Sequence, residues 1–184
     1  MSVSAPSLTD HVAAIAAGNH VTAAHWLKGT LALALADGGV LLARDGATET
    51  VAAHPDSGIL VAAGDGTRLV SGGDDGRVVA TEADGRSSEL ARAKGGGWID
   101  ALALHADGSV AFASGRTIAA RDAKGREKTY AAPSTGRGLA FAPKGYRLAV
   151  AHYNGVSLWY PNLETPPEFI EWKGSHLDVT WSPD

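Results

Sequence analysis

Tight-turn dipeptides recur along this chain at one spacing, and that spacing restricts the fold more than any other feature. One series runs Lys28-Gly29, Asp65-Gly66, Asp107-Gly108 and Lys144-Gly145, with steps of 37, 42 and 37 residues. A second runs Asp37-Gly38, Asp75-Gly76, Gly115 and Asn154-Gly155, with steps of 38, 39 and 40. A third runs Asp45-Gly46, Asp84-Gly85 and Lys124-Gly125, with steps of 39 and 40, and Pro161-Asn162 takes its place in the fourth unit. Three turn series on one period mean a supersecondary unit repeated in tandem. Gly, Asp and Asn suit such turns because they reach positive φ at least cost.

Between the turns lie runs of strand length, such as Leu31–Leu35, Arg68–Ser71, Ala101–Leu104 and Arg147–Val150. Turns every ten or so residues leave no room for helices. Counting back six positions from the first-series glycines gives Leu60, Leu102, Leu139 and, for a fifth unit, Val179; counting back four gives Ala62, Leu104, Phe141 and Trp181. Period-two apolar positions in register predict one buried face per unit. Unit one needs a one-residue shift, which puts Ala24 and Trp26 there.

Four strands in about 40 residues make a blade of an all-β propeller, a small antiparallel sheet that must stack on its neighbours to bury its faces. The residues resemble the WD-repeat family. Unit four reads Gly138 to Gly145, then Tyr146 to Ala151, then Val156-Ser-Leu-Trp159, similar to that family's strand, turn, strand, turn and Trp-ended strand. Leu69 to Gly76 is similar to its Ser-Gly-x-x-Asp-Gly turn, and Val179 to Asp184 looks like the opening of a further blade. The places of the Trp-Asp dipeptide hold Arg44-Asp45, Thr81-Glu82, Arg121-Asp122 and Trp159-Tyr160. The resemblance implies a structural network of His, Ser, Asp and Trp within a blade. Unit two keeps His54, Ser71 and Asp75 of that set.

The resemblance also implies seven blades, of which this chain would be the N-terminal part. The expected organisation is an N-terminal segment 1–19, whose stretch from His11 to Ala17 would supply a closing strand for the last blade, and then blades at 20–53, 54–93, 94–131 and 132–172. Residues 173–184 would form the first strand of an incomplete fifth blade. An open array of four blades would expose apolar faces and strand edges.

Composition excludes several function classes. The formal net charge is only −4 with both signs interspersed, so no basic footprint points to nucleic acid or an anionic membrane. Cysteine is absent, which removes thiolate metal ligands and cysteine nucleophiles. Every apolar run is too short for a membrane-spanning helix. Met1 to Asp10 has neither a basic nor a continuous apolar region of the secretory kind, so the expected location is the cytoplasm.

No phosphate-binding loop, nucleophile elbow or His-Glu-x-x-His motif occurs, and Gly95-Gly-Gly97 reads as a loop between blades. Asp100 and Asp178 are the acids expected on innermost strands. Their opposite parity puts them on opposite faces, so no metal-binding ring is expected. Histidines 11, 20, 25, 54, 105, 152 and 176 are scattered, and Arg44, Arg77 and Arg121 near turns read as solvated.

The functional expectation is a protein-binding scaffold with no catalysis of its own and no cofactor. Its contacts are placed at Trp98, Arg137 and Tyr153, with Trp172 and His176 behind them, because aromatic and Arg side chains on inter-blade loops dominate interaction surfaces. The alternative is a small-molecule-binding or metal-dependent hydrolytic propeller whose ligands lie mostly beyond residue 184. Oligomeric state and the partner's identity are open at this level.

Overall fold

The computed structural model describes Ser7, Thr9 and residues 12–183. The strands group into four antiparallel sheets, each built from consecutive segments of chain. Blade 1 comprises β1 Val21–Leu27, β2 Thr30–Leu35, β3 Gly39–Arg44 and β4 Ala47–Ala52. Blade 2 comprises β5 Ile59–Gly64, β6 Arg68–Gly73, β7 Arg77–Glu82 and β8 Ser87–Arg92. Blade 3 comprises β9 Ala101–Leu104, β10 Val110–Ser114, β11 Thr117–Arg121 and β12 Glu127–Ala131. Blade 4 comprises β13 Gly138–Phe141, β14 Leu148–Trp159 and β15 Glu168–Ser175. No helix among the described residues is long and apolar enough to cross a membrane.

The long β14 is two strands in one. Its first half pairs with β13 and its second with β15. His152 Nε2 and Ser157 Oγ lie 2.8 Å apart. Five residues of extended chain would separate them by about 16 Å, so the chain folds back between them, at Asn154 (φ 63°) and Gly155. Blade 4 thus also has four strand segments.

The turn series predicted from sequence fall where the backbone reverses. Gly29, Gly66, Gly108 and Gly145 all have φ between 76° and 91°, a region that a side chain disfavours. At Gly38 space also excludes a side chain, since the carbonyl oxygens of His54 and Ser57 occupy the place of a Cβ. Asp65 fastens its own turn by accepting from Thr67 N (2.8 Å), Thr67 Oγ1 (2.6 Å) and Arg68 N (3.0 Å). Partial burial pushes its carboxyl up, but these bonds prevail and hold its pKa at about 2.

Blades stack through large-on-small packing. Leu139, Leu148, Val150 and Trp159 of blade 4 press on a face of blade 3 made largely of alanines, among them Ala101, Ala103, Ala111 and Ala113. Leu102, Val110 and Phe112 of blade 3 meet Val70, Val78 and Ala80 of blade 2 in the same way. One polar tie joins each neighbouring pair at the first turn of the later blade. Gly66 O accepts from Lys28 N (3.0 Å), Gly108 O from Arg68 Nη2 (2.8 Å) and Gly145 O from His105 Nε2 (3.2 Å).

Four expectations need correction. Leu60, counted as a core position, is 42% exposed, and Ile59 is buried at 1% instead. The cause is a bulge: Ile59 opposes Gly73 and Val61 opposes Gly72, so Leu60 is the supernumerary residue and turns outward. Trp26 is also exposed, at 66%, because it projects from the side of blade 1 on which no blade stacks. The same side of blade 1 is nevertheless not bare. Leu33, Leu35 and Leu41 are buried there, with Ala17 packed against them. Finally, β15 continues to Ser175, past the expected boundary at residue 172, because Ser175 still pairs with Tyr153.

Both flanks of the array differ from simple strands. Of the suggested closing strand, His11 lies outside the described residues, and Val12 to Ala17 join no sheet. Residues 176–183 also join none, but they run along β13 on the side away from blade 3. The Asp178 backbone abuts Gly138. Trp181 Nε1 donates to Ala140 O (3.0 Å), and the Arg147 guanidinium lies 4.4 Å from the Trp181 ring centre.

Candidate functional site

Loops between blades and the second turn series interleave on one face of the molecule. Gly38 O accepts from Ala53 N (3.1 Å) and His54 N (2.9 Å), Gly76 O from Ala93 N (2.8 Å), and Gly115 O from Gly136 N (2.9 Å). Each inter-blade loop is therefore clamped onto the preceding blade's turn. Such backbone bonds give the face a rigid frame from which side chains can project.

Three of the residues singled out from sequence meet on this face. Trp98 projects from loop 93–100, Arg137 ends loop 132–137, and Tyr153 stands at the turn of blade 4. Arg137 Nη1 contacts Asp100 Oδ2 at 3.3 Å, linking the first two loops. The Ser134 hydroxyl accepts from Tyr153 N at 2.8 Å, linking the second loop to the turn. Trp98 and Tyr153 are 65% and 58% exposed, and the Arg137 side chain 55%.

Trp172 and His176 belong elsewhere. Trp172 lies on β15, the outermost strand of blade 4, and is 71% exposed. Its neighbour Ile170 pairs with Val156, which alternates with the inward Trp159, so Ile170 and Trp172 face away from blade 3. His176 Nε2 donates to Trp172 O (2.8 Å). These two residues form a flank distinct from the loop face.

His54, Ser71 and Asp75 are brought together inside blade 2. His54 is fully buried; its Nδ1 lies 3.0 Å from Asp75 Oδ1 and its Nε2 2.9 Å from Ser71 Oγ. A carboxylate only accepts, so Nδ1 carries a proton and donates to Asp75, while Nε2 and the Ser71 hydroxyl stand within hydrogen-bond distance. Asp75 also accepts from Arg77 N (2.9 Å), which closes the turn. This set supports the loop face from beneath.

Sequence reasoning missed a second such pair. His152, fully buried in blade 4, donates from Nδ1 to Tyr153 O (3.1 Å) and accepts at Nε2 from Ser157. Its ring stacks on Phe169 at 5.4 Å. The available signal was the spacing itself: a His and a Ser five apart around Asn154-Gly155 face each other once the chain reverses.

Of the two acids placed on innermost strands, Asp100 carries the more distinctive environment. Its Oδ1 is buried without a hydrogen bond, and burial pushes its carboxyl up despite the Arg137 charge. Asp178 accepts from Val179 N and is exposed. Among the described residues, no three His, Asp or Glu side chains converge in a way that could hold a metal ion.

A groove of about 700 Å³ opens on the opposite face, between the turns of blades 3 and 4. Its charges are mostly matched within it, Arg126 with Asp122 (2.7 Å) and Lys128 with Glu164, and His105 Nδ1 lies 2.8 Å from Asp107. The Arg126 backbone amide and guanidinium hold the Asp122 carboxyl below the usual range. With its ionic groups engaged by one another, this groove offers a ligand less than the loop face does.

Solved structures place the architecture. A virginiamycin B lyase from Staphylococcus aureus superposes with a TM-score of 0.67 at 15% identity, over 83% of this chain and 55% of that one. A chain of a mitotic checkpoint complex superposes with a TM-score of 0.65 at 19% identity, over 92% of this chain and 59% of that one. The chain has a β-propeller fold. It spans somewhat more than half the length of these two propeller chains. No family model and no curated protein sequence matches it. At such identities the likeness establishes the fold alone, because one propeller frame carries many functions.

Proposed function

We propose that this propeller is a protein-interaction module of the WD-repeat type, with its binding surface on the loop face over blades 3 and 4. The observation that carries the reading is the exposure of Trp98 and Tyr153 on the loop face, with Arg137 on the loop that Asp100 and Ser134 tie to both of their segments. Aromatic and Arg side chains bring large contact area or directed hydrogen bonds, and a fixed frame lowers the ordering cost of binding. The mitotic checkpoint structure offers a precedent in kind, a propeller chain within a protein complex. The meeting of His54, Ser71 and Asp75 inside blade 2 supports the WD-repeat type.

Affinity capture with the full-length protein, followed by mass spectrometry, tests the reading. A partner should be retained by the natural sequence and reduced at least about tenfold by the double variant Trp98→Ala/Tyr153→Ala, with circular dichroism showing the fold intact. Retention in equal yield, or absence of any specific partner across several growth conditions, would overturn it.

A further inference from the structure

We propose that the junction of Trp98, Arg116 and Arg137 receives an acidic peptide segment of a partner protein, with a carboxylate docked on Arg137 and an apolar side chain laid against Trp98. This inference rests on the reading of the loop face as a protein-binding surface and names the chemistry of what binds there.

Three stretches of chain converge at the junction. Loop 93–100 closes on blade 3 so tightly that a Cβ at Gly97 would strike the Ser114 hydroxyl. Turn 114–116 is tied to loop 132–137 by Gly136 N to Gly115 O and by Arg116 Nε to Ala132 O (2.9 Å). Lys94, Arg116 and Arg137 are all exposed there, and Asp100 is the acid among them. The junction is therefore cationic within a chain whose formal net charge is −4.

The in-chain partner of Arg137 leaves most of its hydrogen-bonding capacity unused. A guanidinium has five N–H donors in a planar fork suited to two parallel bonds with a carboxylate. Asp100 takes one of them, at 3.3 Å, while its other oxygen is enclosed without a partner. The terminal nitrogens of Arg116 have no acceptor among the described residues. An incoming carboxylate would supply the bidentate partner that the chain does not.

The rest of the loop face has the opposite sign. Over blades 1 and 2 it carries Asp37, Asp56, Asp74 and Asp75, with Arg77 as the cation beside Asp75. An acidic segment is thus attracted to one half of the face and repelled by the other, which fixes where it lies. Trp98 and Tyr153 add apolar contact beside the cations, a combination suited to a peptide rather than to a bare polyanion.

Panning a random dodecapeptide library on the intact protein tests the inference. Enriched peptides should carry an excess of Asp and Glu next to Leu, Phe or Trp. Their affinity, read by fluorescence anisotropy, should fall at least about tenfold in Arg137→Glu and in Trp98→Ala, and should weaken when salt is raised from about 50 to about 300 mM. Asp100→Asn separates recognition from a structural role of the ion pair. Affinity should be kept or increased in that variant, whereas loss equal to that of Arg137→Glu would mean that the pair merely holds the loop and would overturn the inference. Enrichment without acidic bias would sink the inference and leave the interaction reading in place; no enrichment would count against both. Equal affinity for a single-stranded oligonucleotide of the same length would show a general polyanion site and also overturn it.

Discussion

Tyr130 shows how one side chain can set the response of the molecule to pH. It extends from the outermost strand of blade 3 toward blade 4, its ring 4.8 Å from that of Trp159, with its hydroxyl enclosed near Ser157. Burial pushes its pKa up to about 12. A phenol with a folded pKa above its unfolded value of about 10 stabilises the fold fully below that value, and the contribution is lost as pH rises through 12. Denaturant titrations between pH 9 and 12 should therefore show stability falling in the natural sequence and falling less in Tyr130→Phe. Identical slopes would mean that Tyr130 is not the group responsible.

At the scale of the strand, the bulge in β5 separates what a sequence pattern can show from what pairing decides. The three turn series were legible because a positive φ restricts residue choice to a few types, whatever surrounds them. Leu60 was not, since a bulge depends on which residue of β6 each position opposes. The period-two count continues through it undisturbed. Replacing Ile59 by Ala should cost about 2 to 4 kcal/mol, as for other buried aliphatic truncations. Leu60→Ser should change stability by no more than about 0.5 kcal/mol. Urea denaturation of the two variants checks both, and a reversed order would exclude the observed register. The same limit hid the His152–Ser157 pair, because the two residues meet only through the reversal inside β14. Trp98, Arg137 and Tyr153 were legible as residue types on loops, but their meeting depends on the bonds of Ser134 and Asp100, which no local pattern encodes.

The whole molecule is a row of sheets in which each touches only its neighbours, so stability should vary along the row. Blades 2 and 3 are enclosed on both sides by other blades, whereas β1 bears the exposed Trp26 and β15 the exposed Trp172. In such arrays the outer units open first. Hydrogen exchange followed by mass spectrometry should find the slowest amides in β6, β7, β10 and β11 and the fastest in β1 and β15. Uniform protection would instead indicate a single cooperative unit.

The ties between first turns have a further consequence for sequence change. A main-chain amide, an arginine and a histidine serve as donors in the three successive ties, yet the acceptor is always the carbonyl of the turn glycine. A carbonyl is present whatever residue occupies the position, and the donor stands 38 residues earlier in one tie and 40 in the other two, so what each tie requires is that some donor reach the turn in space. Substitution can alter the donor and leave the tie standing, and the turns can stand 37 or 42 residues apart with the tie kept. The molecule is in this respect tolerant both of spelling and of small changes in length, provided that each turn still arrives beside a donor.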